Sequence, residues 1–200
     1  MHKTKEIFQP YNWHILALSL TILILSSGCT GMVVGGGAKV GTAAFQERGV
    51  TGAAKDLTTA IKMRAKLTKA GEDFIFGVNV SVYEGRMLLT GMLPKQEMQA
   101  LAVSLAWKTD GVKDVINEIQ IGTAKLRDMG KDAWISTQLH SKITLDKNIL
   151  AINYSIKTVN KIIYLIGIAQ NQVELNRVLE HAKNIDYVEK IIQHVRIKKS

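Results

Sequence analysis

The feature that most constrains this chain is an internal repeat with a period of 76 residues. Gly91 and Gly167 are separated by that distance, and the same offset aligns Asp56 with Asp132 without a gap. The other matched positions are mostly apolar and recur along both segments: Leu89 and Leu165, Ala106 and Ala182, Val112 and Val188, Ile116 and Ile192, Ile121 and Ile197. A fixed period of this length indicates duplication of one folding unit. We therefore expect two related modules.

Both repeats have the same order of predicted elements. These are a helix (56–70 and 132–145), two strand-like runs, a second helix (94–108 and 171–183) and a final strand. In the first repeat Val78, Val80 and Val82 alternate with polar residues, which is typical of a strand with one buried face. Glu84-Gly85 predicts a two-residue hairpin turn after that strand. The sequence therefore predicts an α+β fold with two tandem αββαβ modules, each a small three-stranded sheet packed by two helices.

A short apolar run near the start of the chain leads to its single cysteine. The run covers residues 15–25, follows a positively charged opening segment, and is succeeded after a few small residues by Gly28-Cys29. Its length suits the hydrophobic region of a signal peptide, because a membrane-spanning helix needs roughly 20 apolar residues. A lone cysteine in an exported chain cannot form an internal disulfide. We therefore expect residues 1–28 to be a signal peptide.

The segment around Cys29 resembles a bacterial lipobox, in which the cysteine thiol is diacylated and becomes the first mature residue. The motif usually has leucine three residues before the cysteine, where this chain has Ser26. An ordinary signal peptide cleaved near Gly28 is the alternative. The resemblance implies lipidation at Cys29. Because Thr30 rather than aspartate follows Cys29, it also implies a lipid-anchored protein on the periplasmic face of the outer membrane.

Two motifs of the first repeat resemble those of the BON domain, a small αββαβ module of bacterial envelope proteins. The motifs are Val80-x-Val82-x-x-Gly85-x-x-x-Leu89-x-Gly91 and Gly111-Val112-x-x-Val115-x-Asn117-x-Ile119. The second repeat departs from this pattern at Lys161, which replaces the turn glycine, and at Tyr187, which stands where the first repeat has Gly111. A lipobox followed by two such modules is similar to the dual-BON-domain lipoproteins of the Gram-negative outer membrane.

These patterns divide the chain into five segments. They are a lipoprotein signal peptide (1–28), a lipidated glycine-rich tether (29–54), a first BON domain (55–122), a linker (123–131) and a second BON domain (132–200). Small residues fill much of the tether, which predicts a flexible connection between the anchor and the modules.

The sequence offers little for catalysis or metal binding. Three histidines follow the signal peptide, His140, His181 and His194, and we interpret them as solvated surface residues. The chain has no HExxH or CxxC motif, and a single cysteine that is destined for lipid cannot help to build a zinc site. A nucleophile-elbow motif is likewise missing from the sequence. We therefore expect a protein that is not an enzyme and needs no cofactor or metal.

The charge of the chain and one aromatic side chain indicate a membrane contact. The formal net charge is +9, and basic residues near a bilayer attract anionic head groups. An exported chain is not expected to meet nucleic acid. Trp134 lies outside the helical stripe formed by Ile135, Leu139 and Ile143. An indole in that position suits the membrane interface, and packing against the other module or the linker is the alternative.

In the lipoproteins that this chain resembles, the first helix of the second module binds anionic phospholipid, and a tryptophan takes part. The resemblance therefore implies a phospholipid site at Trp134, with Gln138, Ser141 and Leu145 beside it on the same helix. The expected function is binding of anionic phospholipid and maintenance of outer-membrane and cell-envelope integrity. The alternative is a protein-interaction scaffold for outer-membrane assembly or stress-response machinery. Thr58 is equivalent to Trp134 in the first module, so the modules are expected to differ in role.

Overall fold

A computed structural model describes residues 46–123 and 126–199 of the chain. The first module consists of α1 (Gly49–Ala70), α2 (Glu72–Gly77), β1 (Val78–Tyr83), β2 (Arg86–Leu93), α3 (Gln96–Trp107) and β3 (Asp114–Ile121). The second consists of α4 (Leu126–Leu145), a 3-10 turn (Ala151–Asn153), β4 (Tyr154–Val159), β5 (Ile162–Ala169), α5 (Gln172–Lys183) and β6 (Lys190–Ile197). The predicted signal peptide, Cys29 and the predicted tether up to residue 45 lie outside the described residues.

Each module contains a three-stranded sheet of the same topology, in the order β1-β2-β3 or β4-β5-β6. The first two strands are antiparallel and the third is parallel to the second. Both hairpins have two-residue turns, at Glu84-Gly85 and Asn160-Lys161, and all four turn residues have positive φ. The predicted α+β fold with two αββαβ modules is therefore confirmed. The short helix α2 is an addition that the sequence patterns did not predict.

A buried carboxylate holds each hairpin turn against the first helix of its module. Asp56 accepts hydrogen bonds from the backbone N–H groups of Glu84 at 2.7 Å and Gly85 at 2.9 Å. Asp132 accepts the same two bonds from residues 160–161 at 2.7 and 2.8 Å. Left-handed turn residues direct successive N–H groups to one side, and the carboxylate satisfies both. This shared bonding explains why the repeat has aspartate at both positions.

One face of each sheet is covered by the two long helices of its own module. In the first module Met63 of α1 and Ala106 of α3 are fully buried against the sheet. In the second module the predicted core-facing residues of α4, which are Ile135, Leu139 and Ile143, are at most 1% exposed. The helical periodicity therefore identified the correct core-facing side of α4.

The opposite faces of the two sheets pack against each other. The buried side chains of this interface come from both modules: Tyr83, Leu88, Val159, Tyr164, Ile166 and Ile168. The described part of the chain is thus arranged as helices, sheet, sheet and helices. Strand β5 is buried along nearly its whole length, because a strand covered on both faces needs apolar residues at consecutive positions.

The contact between the modules has approximate two-fold symmetry. Glu118 and His194 occupy equivalent positions of the repeat, and His194 Nε2 lies 3.0 Å from Glu118 Oε1 across the interface. A contact between equivalent residues is what an approximate two-fold relation between two copies produces. Arg86 of the first module also donates to the backbone carbonyl of His194 at 2.8 Å. The interpretation of His194 as a solvated residue was therefore wrong, because its side chain contacts Glu118 of the other module.

The other two histidines have different surroundings. His140 is exposed, as expected. His181 Nε2 lies 2.9 Å from a carboxylate oxygen of Asp146, with which it shares a partly buried ion-pair site. The interpretation of His181 as a solvated residue was therefore only partly right, since α5 brings it against the end of α4.

Helix α1 begins at Gly49, within the predicted tether at 29–54. Arg48 stands immediately before this helix, pairs with Asp56 at 2.6 Å, and places its guanidinium 4.3 Å from the ring centroid of Tyr83. Glu47 forms an ion pair with Lys198 at 3.0 Å. Composition alone does not show these contacts, since Tyr83 and Lys198 lie far from Arg48 and Glu47 in the sequence.

Helix α4 begins at Leu126, within the predicted linker at 123–131. Its first turns therefore belong to the second module. The described residues, 46–123 and 126–199, belong to one compact unit, and all three hydrophobic clusters lie within it. The hydrophobic packing of this unit is therefore internal to it, as in a domain that can fold by itself.

Candidate functional site

Helix α4 presents a narrow solvent-facing stripe beside its buried face. Trp134, Gln138, Ser141 and Leu145, which we name the α4 stripe, are spaced by four, three and four residues. At 3.6 residues per turn they fall within about 60° of one another and extend over about 16 Å. Trp134 is 42% exposed and Leu145 is 81% exposed. The structure therefore places all four predicted site residues on one face of one helix.

The backbone beneath the α4 stripe is held firmly in place. Asp132, two residues before Trp134, bonds to the β4–β5 turn as described above. The hydroxyl of Ser136 is 2.8 Å from the hydroxyl of Thr158 on β4, and Ile135 has no exposed surface. These contacts surround Trp134 in sequence, so its side chain projects from a fixed point. A preorganised aromatic residue loses less conformational entropy when it meets a partner.

Trp134 contacts Tyr187, an aromatic residue of its own module. Its ring and that of Tyr187 meet edge to face, with centroids 6.0 Å apart and planes inclined by 68°. Lys131, one turn earlier on α4, places Nζ 4.2 Å from the centroid of the Tyr187 ring. The three side chains form what we name the aromatic cluster. It combines two partly exposed rings with one cation.

The backbone of Tyr187 has an unusual conformation. Its φ is +69°, a left-handed value that costs an L-residue other than glycine roughly 1–2 kcal/mol. The equivalent residue of the first module, Gly111, also has a positive φ. A Cβ atom at Gly111 would overlap Oγ1 of Thr59. The departure from glycine was visible in the sequence, but the contact with Trp134 was not, and Tyr187 was therefore missed as a site residue.

Positive charge lies along one flank of the α4 stripe. Lys131 and Lys142 are about 60° and 80° around the helix from Trp134, on the same side. Lys142 is exposed. Basic side chains on the flank of an apolar stripe can reach anionic lipid head groups while the apolar side chains contact the less polar interior of the membrane.

The corresponding face of the first module has a different character. The residues equivalent to the α4 stripe are Thr58, Lys62, Ala65 and Lys69. Exposed apolar side chains do occur on α1, but at Leu57 and Ile61, which are 51% and 56% exposed. The sequence analysis missed this pair. The two repeats have therefore diverged most clearly on the exposed sides of their first helices.

A groove between the modules is a second candidate surface. Its apolar lining includes Phe76 of α2, Met129 of α4 and Ile156 of β4. Phe76 is 75% exposed and Met129 is 50% exposed. Lys157 and Asp128 add opposite charges to the same groove.

Two further observations concern the described residues. Between residues 46 and 123 and between 126 and 199, His, Cys, Asp and Glu side chains do not gather in groups of three that could hold a metal ion. Over the same ranges, the helices lack the combination of length and hydropathy that a membrane span requires.

Comparisons with known proteins identify the modules. The model of the BON domain matches residues 55–123 and 131–199. The outer membrane lipoprotein DolP of Haemophilus influenzae is 30% identical over 181 residues, which cover 89% of this chain and 93% of the relative. This chain belongs to the dual-BON-domain lipoprotein family.

Other proteins similar to this dual-BON-domain chain have more varied descriptions. An Anaplasma centrale protein, described as an uncharacterized protein in the gshII 5' region, is 36% identical over 147 residues, covering 72% of this chain and 96% of the relative. A 21 kDa hemolysin of Actinobacillus pleuropneumoniae is 30% identical over 117 residues, covering 58% of this chain and 60% of the relative. The two BON domains of the present chain correspond to the two repeats defined by the 76-residue offset.

Proposed function

We propose that this protein is a non-enzymatic, lipid-anchored lipoprotein of the periplasmic face of the outer membrane, and that its second BON domain binds anionic phospholipid. In this proposal the contact with the membrane helps to maintain the integrity of the outer membrane and the cell envelope. The observation that carries the proposal is the joint exposure of Trp134 and Leu145 on one face of α4.

The physical chemistry of the α4 stripe supports a membrane partner. An indole has an apolar body and one N–H donor, so it is stable at the level of lipid head groups. Leu145, at the other end of the α4 stripe, presents an apolar side chain on the same face of the helix. Gln138 and Ser141 between them can donate and accept hydrogen bonds with head groups. An amphipathic face of this kind lies along a membrane surface and does not cross the bilayer.

Charge supports an anionic lipid. Lys131 and Lys142 flank the α4 stripe on one side, and each basic residue near an anionic surface contributes about 1 kcal/mol. The lipid chains proposed at Cys29 would supply the anchor, since each buried methylene adds about 0.8 kcal/mol. The role of the second BON domain would then be to orient the anchored protein and to select anionic regions of the membrane.

The similarity to a protein described as an outer membrane lipoprotein supports the location. Labelling cells with radioactive palmitate tests the anchor directly. We expect label in the parent protein and its loss in Cys29→Ala, because the proposed acylation takes place on the thiol of Cys29. Equal labelling of the two proteins would contradict the proposed anchor.

Binding to vesicles tests the phospholipid contact. We propose to sediment residues 41–200 with vesicles of phosphatidylglycerol and phosphatidylcholine, using pure phosphatidylcholine vesicles as the uncharged comparison. Trp134→Glu should weaken binding to the anionic vesicles by about tenfold, which corresponds to about 1.4 kcal/mol. Ile61→Glu is the matched control, because Ile61 is similarly exposed on the first helix of the other module.

The control should bind within about twofold of the parent. Equal binding by Trp134→Glu and the parent would refute a contact at α4. Loss of binding in Ile61→Glu alone would instead move the contact to α1.

The groove lined by Phe76 and Met129 supports the second candidate function, a protein-interaction scaffold. Exposed apolar side chains in a concave surface are typical of protein contacts. Crosslinking in cells followed by purification would separate the two functions. Partners that remain with Trp134→Glu and are lost with Phe76→Ser would favour the scaffold.

A further inference from the structure

We propose that Tyr187 is a second membrane-contacting residue, and that the phospholipid site of the second BON domain therefore includes the loop between α5 and β6 as well as α4. In this proposal Tyr187 acts together with Trp134 and Lys131 as one contact for anionic phospholipid. The inference rests on the proposed function.

The backbone of the loop indicates that Tyr187 is not required by the fold. Its φ of +69° falls in the region that favours glycine. The first module makes the same connection with Gly111, also at positive φ. Tyr187 is 59% exposed, so it contributes little to the core. A strained position with an exposed aromatic side chain is better explained by what the ring contacts outside the protein.

The neighbouring residues hold the loop in place. Ile185 is 5% exposed and belongs to the core of the second module, and Val188 packs partly against the same core. The backbone N–H of Val188 donates to the carbonyl of Ile185 at 3.4 Å. Tyr187 therefore lies between two anchored residues and projects from a short, fixed turn.

The geometry of the aromatic cluster suits the region of lipid head groups. Trp134 and Tyr187 meet edge to face at 6.0 Å, and both remain partly exposed. Tyrosine and tryptophan are the two side chains that favour this region, because each has an apolar ring and a polar group. Their adjacency extends the apolar contact sideways from α4 onto the loop.

The ammonium group of Lys131 supplies the charge complementarity. Its Nζ lies 4.2 Å from the ring centroid of Tyr187, where the electrons of the ring attract the cation. An ammonium group has three N–H donors, so this contact leaves donors for a lipid phosphate. Tyr187 thus has two expected roles: it enters the interface itself, and it positions a cation beside it.

Replacement by glycine gives a test that separates binding from folding. We propose Tyr187→Gly in residues 41–200, because it restores the residue that the first module has in this loop. We expect a urea midpoint equal to or higher than that of the parent, since strain is relieved. Affinity for phosphatidylglycerol vesicles should fall by about fivefold. Tyr187→Trp should keep the parent's affinity, since it preserves an interfacial ring.

The fluorescence of Trp134 provides a second measurement. Trp107 and Trp134 are the tryptophans of residues 41–200, so Trp107→Phe leaves Trp134 as the reporter. Anionic vesicles should shift its emission to shorter wavelength, and Tyr187→Gly should reduce that shift. Trp107→Ala is the matched binding control, because Trp107 is 56% exposed on the first module and its loss should leave affinity unchanged.

The outcomes distinguish this inference from the proposed function. If Trp134→Glu loses binding while Tyr187→Gly binds as well as the parent, the inference is overturned and the proposed function stands. If Tyr187→Gly lowers both the urea midpoint and the affinity for phosphatidylglycerol vesicles, the ring has a structural role and the inference is again overturned. If the parent does not bind phosphatidylglycerol vesicles, both are overturned.

Discussion

The paired carboxylates that hold the hairpin turns give a quantitative test of how this fold is stabilised. Asp56→Asn and Asp132→Asn keep the size of each side chain but replace one acceptor oxygen with an NH₂ donor. In the native structure each carboxylate accepts two backbone N–H groups. Each asparagine can accept only one of them, and its NH₂ group then faces the other N–H.

The expected loss of stability differs between the two sites. A hydrogen bond to a charged group contributes about 1.5–3 kcal/mol, so Asp132→Asn should lower the free energy of unfolding by about 2 kcal/mol. Asp56 also pairs with Arg48 at 2.6 Å, and the Arg48 side chain is only 16% exposed. A partly buried cation that loses its partner adds a further cost. We therefore expect about 3–4 kcal/mol for Asp56→Asn.

Urea unfolding of residues 41–200, followed by far-UV circular dichroism, measures both changes. The slope of free energy against urea should stay constant, since the surface exposed on unfolding does not change. Asp110→Asn is the matched control, because this carboxylate is 85% exposed and pairs with Lys62 at 3.1 Å. An exposed pair contributes about 0–1 kcal/mol, so the control should differ little from the parent.

Two results would refute this reasoning. Losses below about 0.5 kcal/mol for both variants would mean that water replaces the carboxylate bonds without cost. A larger loss at Asp132 than at Asp56 would mean that the contact with Arg48 adds no stability. The first result would remove the structural explanation for the matched aspartates of the repeat, and the second would remove only the added contribution of Arg48.

Three further predictions concern stability and its dependence on pH. Gly91→Ala should destabilise the first module by more than about 3 kcal/mol in urea unfolding, because a Cβ there would overlap the carbonyl oxygen of Gly77. Burial raises the pKa of Tyr83 from 10.0 to about 12, so the unfolded chain loses this proton first, and stability should fall as pH rises from about 10 to 12 in alkaline melting curves. The hydrogen bond with His181 holds the pKa of Asp146 well below its ordinary 3.8. Asp146→Asn should therefore be less stable than the parent at neutral pH, with the difference shrinking as pH falls below 3.8.

Local sequence patterns determined much of the architecture of this protein. The 76-residue offset predicted two copies of one module, and alternation of apolar residues predicted β1 because adjacent side chains of a strand point to opposite faces. The helical spacing of Ile135, Leu139 and Ile143 likewise predicted the buried face of α4. Glu84-Gly85 marked a hairpin turn through its own backbone preferences. All of these signals lie within a few residues of the element that they specify.

The tertiary structure alone decided how the modules meet and what surrounds the site. The strand patterns predicted polar surface positions for Glu118 and His194, yet the two side chains face each other across the interface. Arg48 lies in the predicted tether, yet it bonds to Asp56 of α1 and to the carbonyl of Val82 in β1. In the sequence, Tyr187 was only a departure from the glycine of the first repeat. The structure shows that its ring contacts Trp134. In each case the deciding contact joins residues far apart in the chain, and its energy depends on a distance that no local pattern encodes.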